Sequence, residues 1–371
     1  MAGSAIAIHL ARRGYAVVLL DRAGFPRRKA CGEGLFPAGA HELGALGIEP
    51  ASIGTPLTAV RFTAGRAVAE APISLSGAPG YGVQRERLDA ALLAQAAAAG
   101  VDVRIGVPVT GLNIRDGNVA AFRTPAGPVE ARAFVAADGA QSKLRRLAGL
   151  DSRRIGGRYG VTAHVRLAGP LPPAVQVFFE RGYELYVTSV VEDTANVAVL
   201  TRKAGMQRFT GGLAAGMEAI IARYDALRSA VLCDAPLAAG PFPRGCRRAW
   251  RANLLLAGDA AGFYDGITGE GMSAALRGAR LAADALTAWL DDGDANAFRD
   301  YDRGRAALVR NPELLARLSL TLGRDPRLAA FAVGNLARHP ATFARLVSVN
   351  AGESPLRSLR PRDAAALLLG L

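Results

Sequence analysis

Apolar side chains recur at helical spacing from Ser4 to Arg13 and stop at Gly14, after which Ala16 to Leu20 run continuously apolar up to Asp21. The first pattern predicts a helix with a glycine C-cap, and the second a buried parallel strand. Helix then strand is the second half of a βαβ unit. Leu57 to Ala71 alternate as strands do, and Arg85 to Ala99 form an amphipathic helix stopped by Gly100 and followed by a short strand, Val101 to Ile105. Val109 to Arg115 and Val119 to Thr124 flank Asp116-Gly117-Asn118, a hairpin turn signal. Ala133 to Ala137 form another buried strand that runs into Asp138-Gly139.

From Tyr159 to about Leu200 strands dominate, with apolar runs at Val161 to Leu167, Val175 to Phe179, Glu184 to Val191 and Asn196 to Leu200. This predicts an antiparallel sheet inserted between parts of a nucleotide-binding domain. A mostly helical stretch, Met206 to Val231, follows. The strand Leu254 to Ala257 then returns to the first domain, and from Gly271 the chain reads helical to its end. No internal repeat or low-complexity linker interrupts the pattern.

At 371 residues and 50% hydrophobic, the chain is long enough for two or three layers sharing a large core. No stretch reaches the ~18 uncharged apolar residues of a membrane span. The opening segment carries Arg12-Arg13 at its centre with no basic segment before it, unlike a secretory signal. Cys31, Cys233 and Cys246 have no paired spacing, which argues against a disulfide framework or a zinc site and suits a reducing cytoplasm. The four histidines add no metal motif. The formal charge is +13, yet only Lys29, Lys143 and Lys203 are lysines. An arginine-dominated charge with many Ala and Gly residues reads as a GC-rich codon bias, and no aromatic-plus-basic platform points to nucleic acid.

Three pieces carry chemistry. The first is Gly3, Ala7, Gly14, Val17 and Asp21, whose spacing fits the later part of a dinucleotide-binding fingerprint. Gly3 takes the place of the third glycine, which allows close helix-to-strand packing, and Asp21, 18 residues later, the place of the acid that binds a ribose hydroxyl. Arg22 follows as a further cofactor-binding candidate. Met1 and Ala2 stand where a full motif has just passed its first two glycines, so the natural start is expected about ten to fifteen residues upstream, enough for one strand and a glycine turn. The second piece is FVAADGAQSKLRR, where a strand delivers Asp138-Gly139 to a turn, with Ser142 and Arg145 on the helix after it. The third is LLLAGDAAGFYDGITGEGM, where a strand delivers Gly258-Asp259 and a glycine-rich loop opens the helix at Gly271. Asp259 at a strand end can accept a ribityl hydroxyl. Backbone amides from Gly269 through Gly271 to Met272 present partial positive charge, which suits the negative N1 and O2 region of a reduced flavin.

In this order the motifs resemble the FAD-dependent enzymes of the p-hydroxybenzoate hydroxylase fold, over essentially the whole chain up to about Asp300. The resemblance implies an α/β fold, with a Rossmann-type FAD-binding domain interleaved with an antiparallel-sheet substrate domain and a helical C-terminus. The FAD-binding parts fall at 1–56, 81–155 and 246–295, the substrate-domain parts at 57–80 and 156–245, and a C-terminal helical region at 296–371. The resemblance also places Arg85, in GYGVQRERLD, where the group's arginine contacts the flavin nucleotide's phosphates. A structural reading of Arg85 is a solvated residue at a helix start.

Within that group, FPRRKACGEGLFPAG resembles the geranylgeranyl reductase family, whose Cys-Gly-Gly-type motif follows a proline. Cys31 and Gly32 then line the flavin's substrate face, with Cys31 as the catalytic candidate. A buried small hydrophobe is the structural reading of the same cysteine. Ser189 stands where the family's aromatic-rich strand ends in proline, and Gly266 where a proline is common beside the flavin. The Trp-x-Trp-x-Ile-Pro signature of flavin halogenases does not occur; the tryptophans are Trp250 and Trp289.

The leading expectation is a reductase acting on C=C bonds of a prenyl or other apolar substrate. A single-component monooxygenase hydroxylating an aromatic or polyketide ring is the alternative, and a truncated product that binds no flavin is the third reading. GGLAAG, Gly211 to Gly216, follows no convincing strand, so NAD(P)H or a reduced electron carrier is expected to dock only transiently. From Arg299 onward twelve arginines face six acidic residues among apolar runs. This suits either helices capping the substrate domain or a basic amphipathic surface in peripheral contact with an anionic membrane. The pattern leaves the oligomeric state open.

Overall fold

The computed structural model describes residues 1–370. Helix Ala2–Ala11 is apolar on nearly every face, with Ala2, Ser4, Ala5, Ile6, Ala7, Ile8 and Leu10 all buried. A helix of that composition can only sit inside a core. Strand Val18–Asp21 pairs in parallel with Asp102–Ile105. Phe134–Ala136 pairs in parallel with Leu254–Leu256, which pairs antiparallel with Trp250–Arg251. Among the described residues these two parallel pieces share no hydrogen-bonded strand. Leu19 and Leu20 of one piece and Val135 and Ala137 of the other line the same cavity. Helix Ala2–Ala11 bridges them at Gly3, where a Cβ would stand 3.2 Å from the Ala137 Cβ and 3.6 Å from Leu19 Cδ1.

The expected hairpin forms as Gly111–Arg115 and Asn118–Thr124, with Asp116 and Gly117 both at positive φ, and Gly127–Glu130 extends it. Its backbone docks on the Asn253 side chain, which accepts from Val119 N–H and donates to the carbonyls of Val119 and Arg132.

Seven strands of the large sheet run in the order Val231–Leu232, Asp151–Arg166, Thr194–Arg202, Tyr183–Val191, Ala174–Glu180, Ala59–Ala64, Ala67–Pro72, and Leu237–Cys246 also pairs with Asp151–Arg166. The sheet is not wholly antiparallel, since Ala174–Glu180 lies parallel to Ala59–Ala64. Those two strands come from separate passages of the chain, so no hairpin constrains their direction. Period-two alternation divides the residues between two faces. Val161, Val165, Leu185, Val187, Val197 and Val199 pack with Met217 and Ile220 of helix Leu213–Ile221. Val177, Tyr186, Ala198 and Leu200 point the other way.

Residues 206–231 are less helical than their pattern suggests. Only Leu213–Ile221 is α-helical, between two 3₁₀ turns, because Gly205, Gly211 and Gly212 interrupt the run before it. The chain after Gly271 is helical as expected, in Gly271–Asp291, Ala297–Leu322, Pro326–Arg338, Pro340–Asn350 and Pro361–Leu369. Ala332, Val333, Leu336, Phe343 and Val347 of this region pack on Val60, Ala69 and Ala71 of the sheet. No described helix is long and apolar enough to cross a membrane.

One glycine sets the distance between sheets. A Cβ at Gly82 would stand 1.7 Å from the carbonyl oxygen of Ser189, so strand Gly80–Gly82 can cross strand Tyr183–Val191 only without a side chain there. Gly82→Ala should lower unfolding free energy by about 3 kcal/mol, as overpacking against immobile backbone does. Urea denaturation checks it, and a change below ~0.5 kcal/mol would show that the two strands separate freely.

Candidate functional site

One cavity of about 1810 Å³ runs between the two parallel pieces and on under the large sheet. That exceeds the ~300–1,000 Å³ typical of a single small-molecule pocket. Gly3, Asp21, Arg22, Cys31, Gly32, Arg85, Asp138, Gly139, Gly258, Asp259, Gly269, Gly271 and Met272 all line it, so the structure brings together every site candidate named from the sequence. Arg27, Arg28, Lys29, Lys143 and Arg146 add cationic side chains. The part bounded by the large sheet and the C-terminal helices is apolar, with Phe62, Val177, Phe179, Leu318, Val333 and Phe343 among its lining.

The three strand-end carboxylates differ in what they are free to do. Asp21 accepts from Ala23 N–H at 2.9 Å and stands 3.5 Å from Arg27, and it is only partly buried. Among the described residues Asp259 has a single ionic neighbour, Lys29, at 3.8 Å. Asp138 is committed elsewhere. Its Oδ1 accepts from the Ser142 hydroxyl, and its Oδ2 from Lys143 N–H at 2.8 Å and Leu144 N–H at 3.1 Å. It therefore satisfies the open amides of the short helix Lys143–Leu147, as an N-terminal carboxylate does. Arg145 on that helix donates to Asp151 at 2.7 Å and to the Ala260 carbonyl at 3.0 Å, which ties the second motif to the third. Gly258 packs tightly against the first helix, since a Cβ there would stand 2.9 Å from the Ala2 Cβ.

Arg85 is not a solvated residue at a helix start. It is 5% exposed and donates from Nη2 to both oxygens of Asp89, at 2.8 and 3.1 Å, while its Nε has no partner. Cys31 sits beside it in the cavity wall; burial pushes its thiol up, which keeps it protonated. Gly269, at φ +70°, turns the loop toward helix Gly271–Asp291, and Met272 is buried in its first turn. Between them Glu270 is buried with Oε1 unpartnered, and burial pushes its carboxyl up to about 8, which Arg277 only partly offsets.

Two charge clusters have no sequence signature. Glu33, inside the Cys-Gly-Glu-Gly turn, meets His164 at 2.7 Å, and the other ring nitrogen of His164 meets Asp234 at 2.6 Å. Arg158 pairs with Glu184 at 2.7 Å and Asp265 at 2.8 Å. Burial pushes the Glu184 and Asp265 carboxyls up, and Arg158 pulls them back only in part. Asp265 also accepts from Ile267 N–H, and Tyr186 donates to the Ile267 carbonyl, so the loop before Gly269 is held from two sides. The residues of both clusters lie far apart in sequence, and His164 looks like any polar position on a half-buried strand.

Residues 1–204 match the FAD binding domain family. The chain belongs to that family. It is an FAD-dependent oxidoreductase of the p-hydroxybenzoate hydroxylase fold. Among curated proteins it is 31% identical over 339 residues to digeranylgeranylglycerophospholipid reductase 2 of Methanothermobacter thermautotrophicus, an alignment covering 84% of this chain and 83% of that protein. It is 29% identical to menaquinone reductase of Mycolicibacterium smegmatis, covering 77% of this chain and 74% of that one. Among solved structures, a flavoprotein/dehydrogenase from Cytophaga hutchinsonii superposes with a TM-score of 0.85 at 20% identity, over 100% of this chain and 96% of that chain. A probable FAD-dependent monooxygenase from Pseudomonas aeruginosa superposes with a TM-score of 0.76, also at 20% identity, over 89% of this chain and 95% of that chain. At such identity these structures speak for the fold.

The residues of this FAD-dependent oxidoreductase fit the cofactor. Its diphosphate is anionic, and the cavity offers the unpartnered Nε of Arg85, the start of helix Ala2–Ala11 and a cationic loop. Its hydroxyls need acceptors, and Asp21 and Asp259 are partly exposed to the cavity.

Glu270 yields a pH prediction. Its folded pKa, about 8, lies above the ordinary carboxyl value, so its contribution is fully present below the unfolded pKa and lost as pH rises toward 8. In that window the slope is up to about 1.4 kcal/mol per pH unit. Glu270→Gln should flatten the fall in stability between pH 5 and 8 in urea titrations. An undiminished slope in the variant would assign the proton to another group.

Proposed function

We propose that this oxidoreductase reduces C=C bonds of a prenyl or other apolar substrate, using hydride from FAD bound in the described cavity. The observation that carries the reading is continuity. The groove lined by the FAD-type motifs opens, within one cavity, into a channel whose walls are mostly apolar, with polar side chains such as Thr162, Thr188 and Ser319 among them. Such a channel favours a hydrocarbon chain by burial. Digeranylgeranylglycerophospholipid reductases that align over most of this chain support it.

In this reading the amides at the start of helix Ala2–Ala11 and the free Nε of Arg85 hold the diphosphate, with Gly3 allowing the close approach and Arg22 flanking it. Asp21 accepts from the adenosine ribose and Asp259 from a ribityl hydroxyl. Gly139 and Gly258 keep their turns clear of the cofactor, and Asp138 supports the site by fixing its own turn. Backbone N–H groups between Gly269 and Met272 would hold the N1 and O2 side of a bound flavin and favour negative charge there, although the Gly269 N–H itself is taken by the Gly266 carbonyl at 3.1 Å. Reduced FAD supplies the hydride. Cys31 and Gly32 form the wall on the substrate side, and Phe62, Val177 and Phe179 exclude water from it. NAD(P)H or a reduced electron carrier serves as reductant by transient contact.

The C-terminal helices that wall the channel also carry Leu328, Phe331 and Leu368, each about half exposed, the first two close in sequence to Arg324 and Arg327. We read this as peripheral contact with an anionic membrane, through which an apolar substrate reaches the channel. Phe331→Glu should reduce co-sedimentation with anionic vesicles by at least about fivefold; binding insensitive to anionic lipid would remove this part of the proposal.

Anaerobic incubation of the dithionite-reduced protein with a polyprenyl lipid should give a product heavier by two hydrogens per double bond, read by mass spectrometry. Substrate-dependent oxygen uptake without saturation would favour hydroxylation instead. Val177→Asp should cut turnover about a hundredfold by placing a carboxylate in the apolar channel, while leaving the bound-flavin spectrum in place. Full activity in that variant would mean the substrate lies elsewhere.

A further inference from the structure

Residues Arg27 to Gly34 form a continuous wall of the cavity and are gripped near both ends by one charge network, buried at Glu33 and His164 and partly buried at Arg28 and Asp234. Near one end Arg28 donates to Asp234 at 2.7 Å and to the Ala235 carbonyl at 2.7 Å. Near the other, Glu33 accepts from Arg85 N–H at 2.7 Å through Oε1 and meets His164 Nε2 at 2.7 Å through Oε2. His164 closes the ring, because its Nδ1 meets Asp234 at 2.6 Å and its backbone N–H donates to the same carboxylate at 3.1 Å. Lys29, Ala30, Cys31 and Gly32 are slung between the two grips.

We infer that His164 is a positioning residue which, as an imidazolium between Glu33 and Asp234, staples the Arg27–Gly34 wall to the large sheet and thereby sets how tightly FAD is held. The inference rests on the reading that FAD occupies this cavity. Only a protonated imidazole donates from both nitrogens, and both of these face carboxylates. A neutral ring would turn one lone pair toward a buried carboxylate. The groups facing His164 are Glu33 and Asp234, backed by Arg28, by Cys31 and by Arg85 with its partner Asp89. With His164 charged, the set Glu33, Asp234, His164 and Arg28 is neutral; without it, a net negative charge is left between buried Glu33, 3% exposed, and partly buried Asp234. Burial works against the proton, yet the two carboxylates outweigh it and hold His164 above its usual value.

Glu33 shows what the staple sustains. It is a non-glycine residue at φ 59°, in the left-handed region, and its carbonyl also accepts from Val83 N–H at 2.9 Å. A strained backbone persists where side-chain tethers over-determine it, and those tethers are the Arg85 and His164 bonds. His164 lies two residues before the end of strand Asp151–Arg166, opposite Asn196 of the neighbouring strand, with Ala163 and Val165 buried on the opposite face.

The test is FAD affinity of the full chain from pH 6 to 9, by fluorescence, for the wild type, His164→Gln and Glu33→Gln. The wild-type Kd should rise about tenfold as His164 loses its proton. His164→Gln should bind weakly with no pH dependence. Glu33→Gln, whose amide can donate to a neutral His164 while still accepting from Arg85 N–H, should bind with a flat profile and match or exceed the wild type at pH 9. A pH-independent wild type, or a full slope retained in either variant, overturns the inference. Hydrogen exchange of residues 27–34, corrected for the intrinsic rate, separates it from the cofactor reading. If no pH gives FAD binding the cofactor reading fails, and unchanged protection of this segment in His164→Gln would then overturn the staple as well.

Discussion

Close approach of helix Ala2–Ala11 to the strand ends around it is the constraint on which the rest of the molecule depends. At Gly3 the helix touches both parallel pieces of the nucleotide-binding part, and at Ala2 it meets the Gly258 turn at a distance no side chain on Gly258 would permit. These contacts place the Asp21, Asp138 and Asp259 turns around one groove. Hydrophobic burial supplies the driving force, since almost the whole helix lies in a core shared with Leu254, Leu256, Met272 and Leu276. Burial has no direction of its own, so it is the missing side chains that decide how close the elements come.

Buried charge then does what apolar packing cannot. Arg145 links the second motif to the third, Arg158 anchors the loop that leads to Gly269, and His164 joins the Arg27–Gly34 wall to the large sheet. Such networks add little net stability once desolvation is counted, but breaking one partner leaves an uncompensated charge. They act as locators, holding loops at defined positions beside the cavity.

The large sheet divides its duties by alternation. Residues one apart along Tyr183–Val191 and Thr194–Arg202 face either the core under helix Leu213–Ile221 or the cavity, so a single valine-rich strand builds both packing and channel wall. The C-terminal helices close that channel from the other side. Their Ala329, Ala332 and Val333 leave space where bulkier residues would fill it, and the apolar volume is continuous with the nucleotide groove.

Much of this was legible in the chain itself. Strand and helix periods located many of the elements to within about two residues, though strand Asp151–Arg166 begins well before the expected Val161 and helix in 206–231 is confined to Leu213–Ile221. Gly3, Asp21, Asp138, Gly139, Gly258, Asp259, Gly269, Gly271 and Met272 of the three pieces line one cavity. Those signals are local, because a turn or a strand period is written in adjacent residues. What tertiary structure alone decided was which polar atoms are free. Asp138 and Asp259 look alike in sequence, yet one is consumed by its own helix start and the other is open, since only the path of residues 142–144 brings their amides to Asp138. Likewise Glu33, His164 and Asp234 are unremarkable at their own positions. Pairing across 131 and 70 residues makes them a unit, and no local pattern encodes a contact between side chains that meet only after the sheet and the loop have folded onto each other.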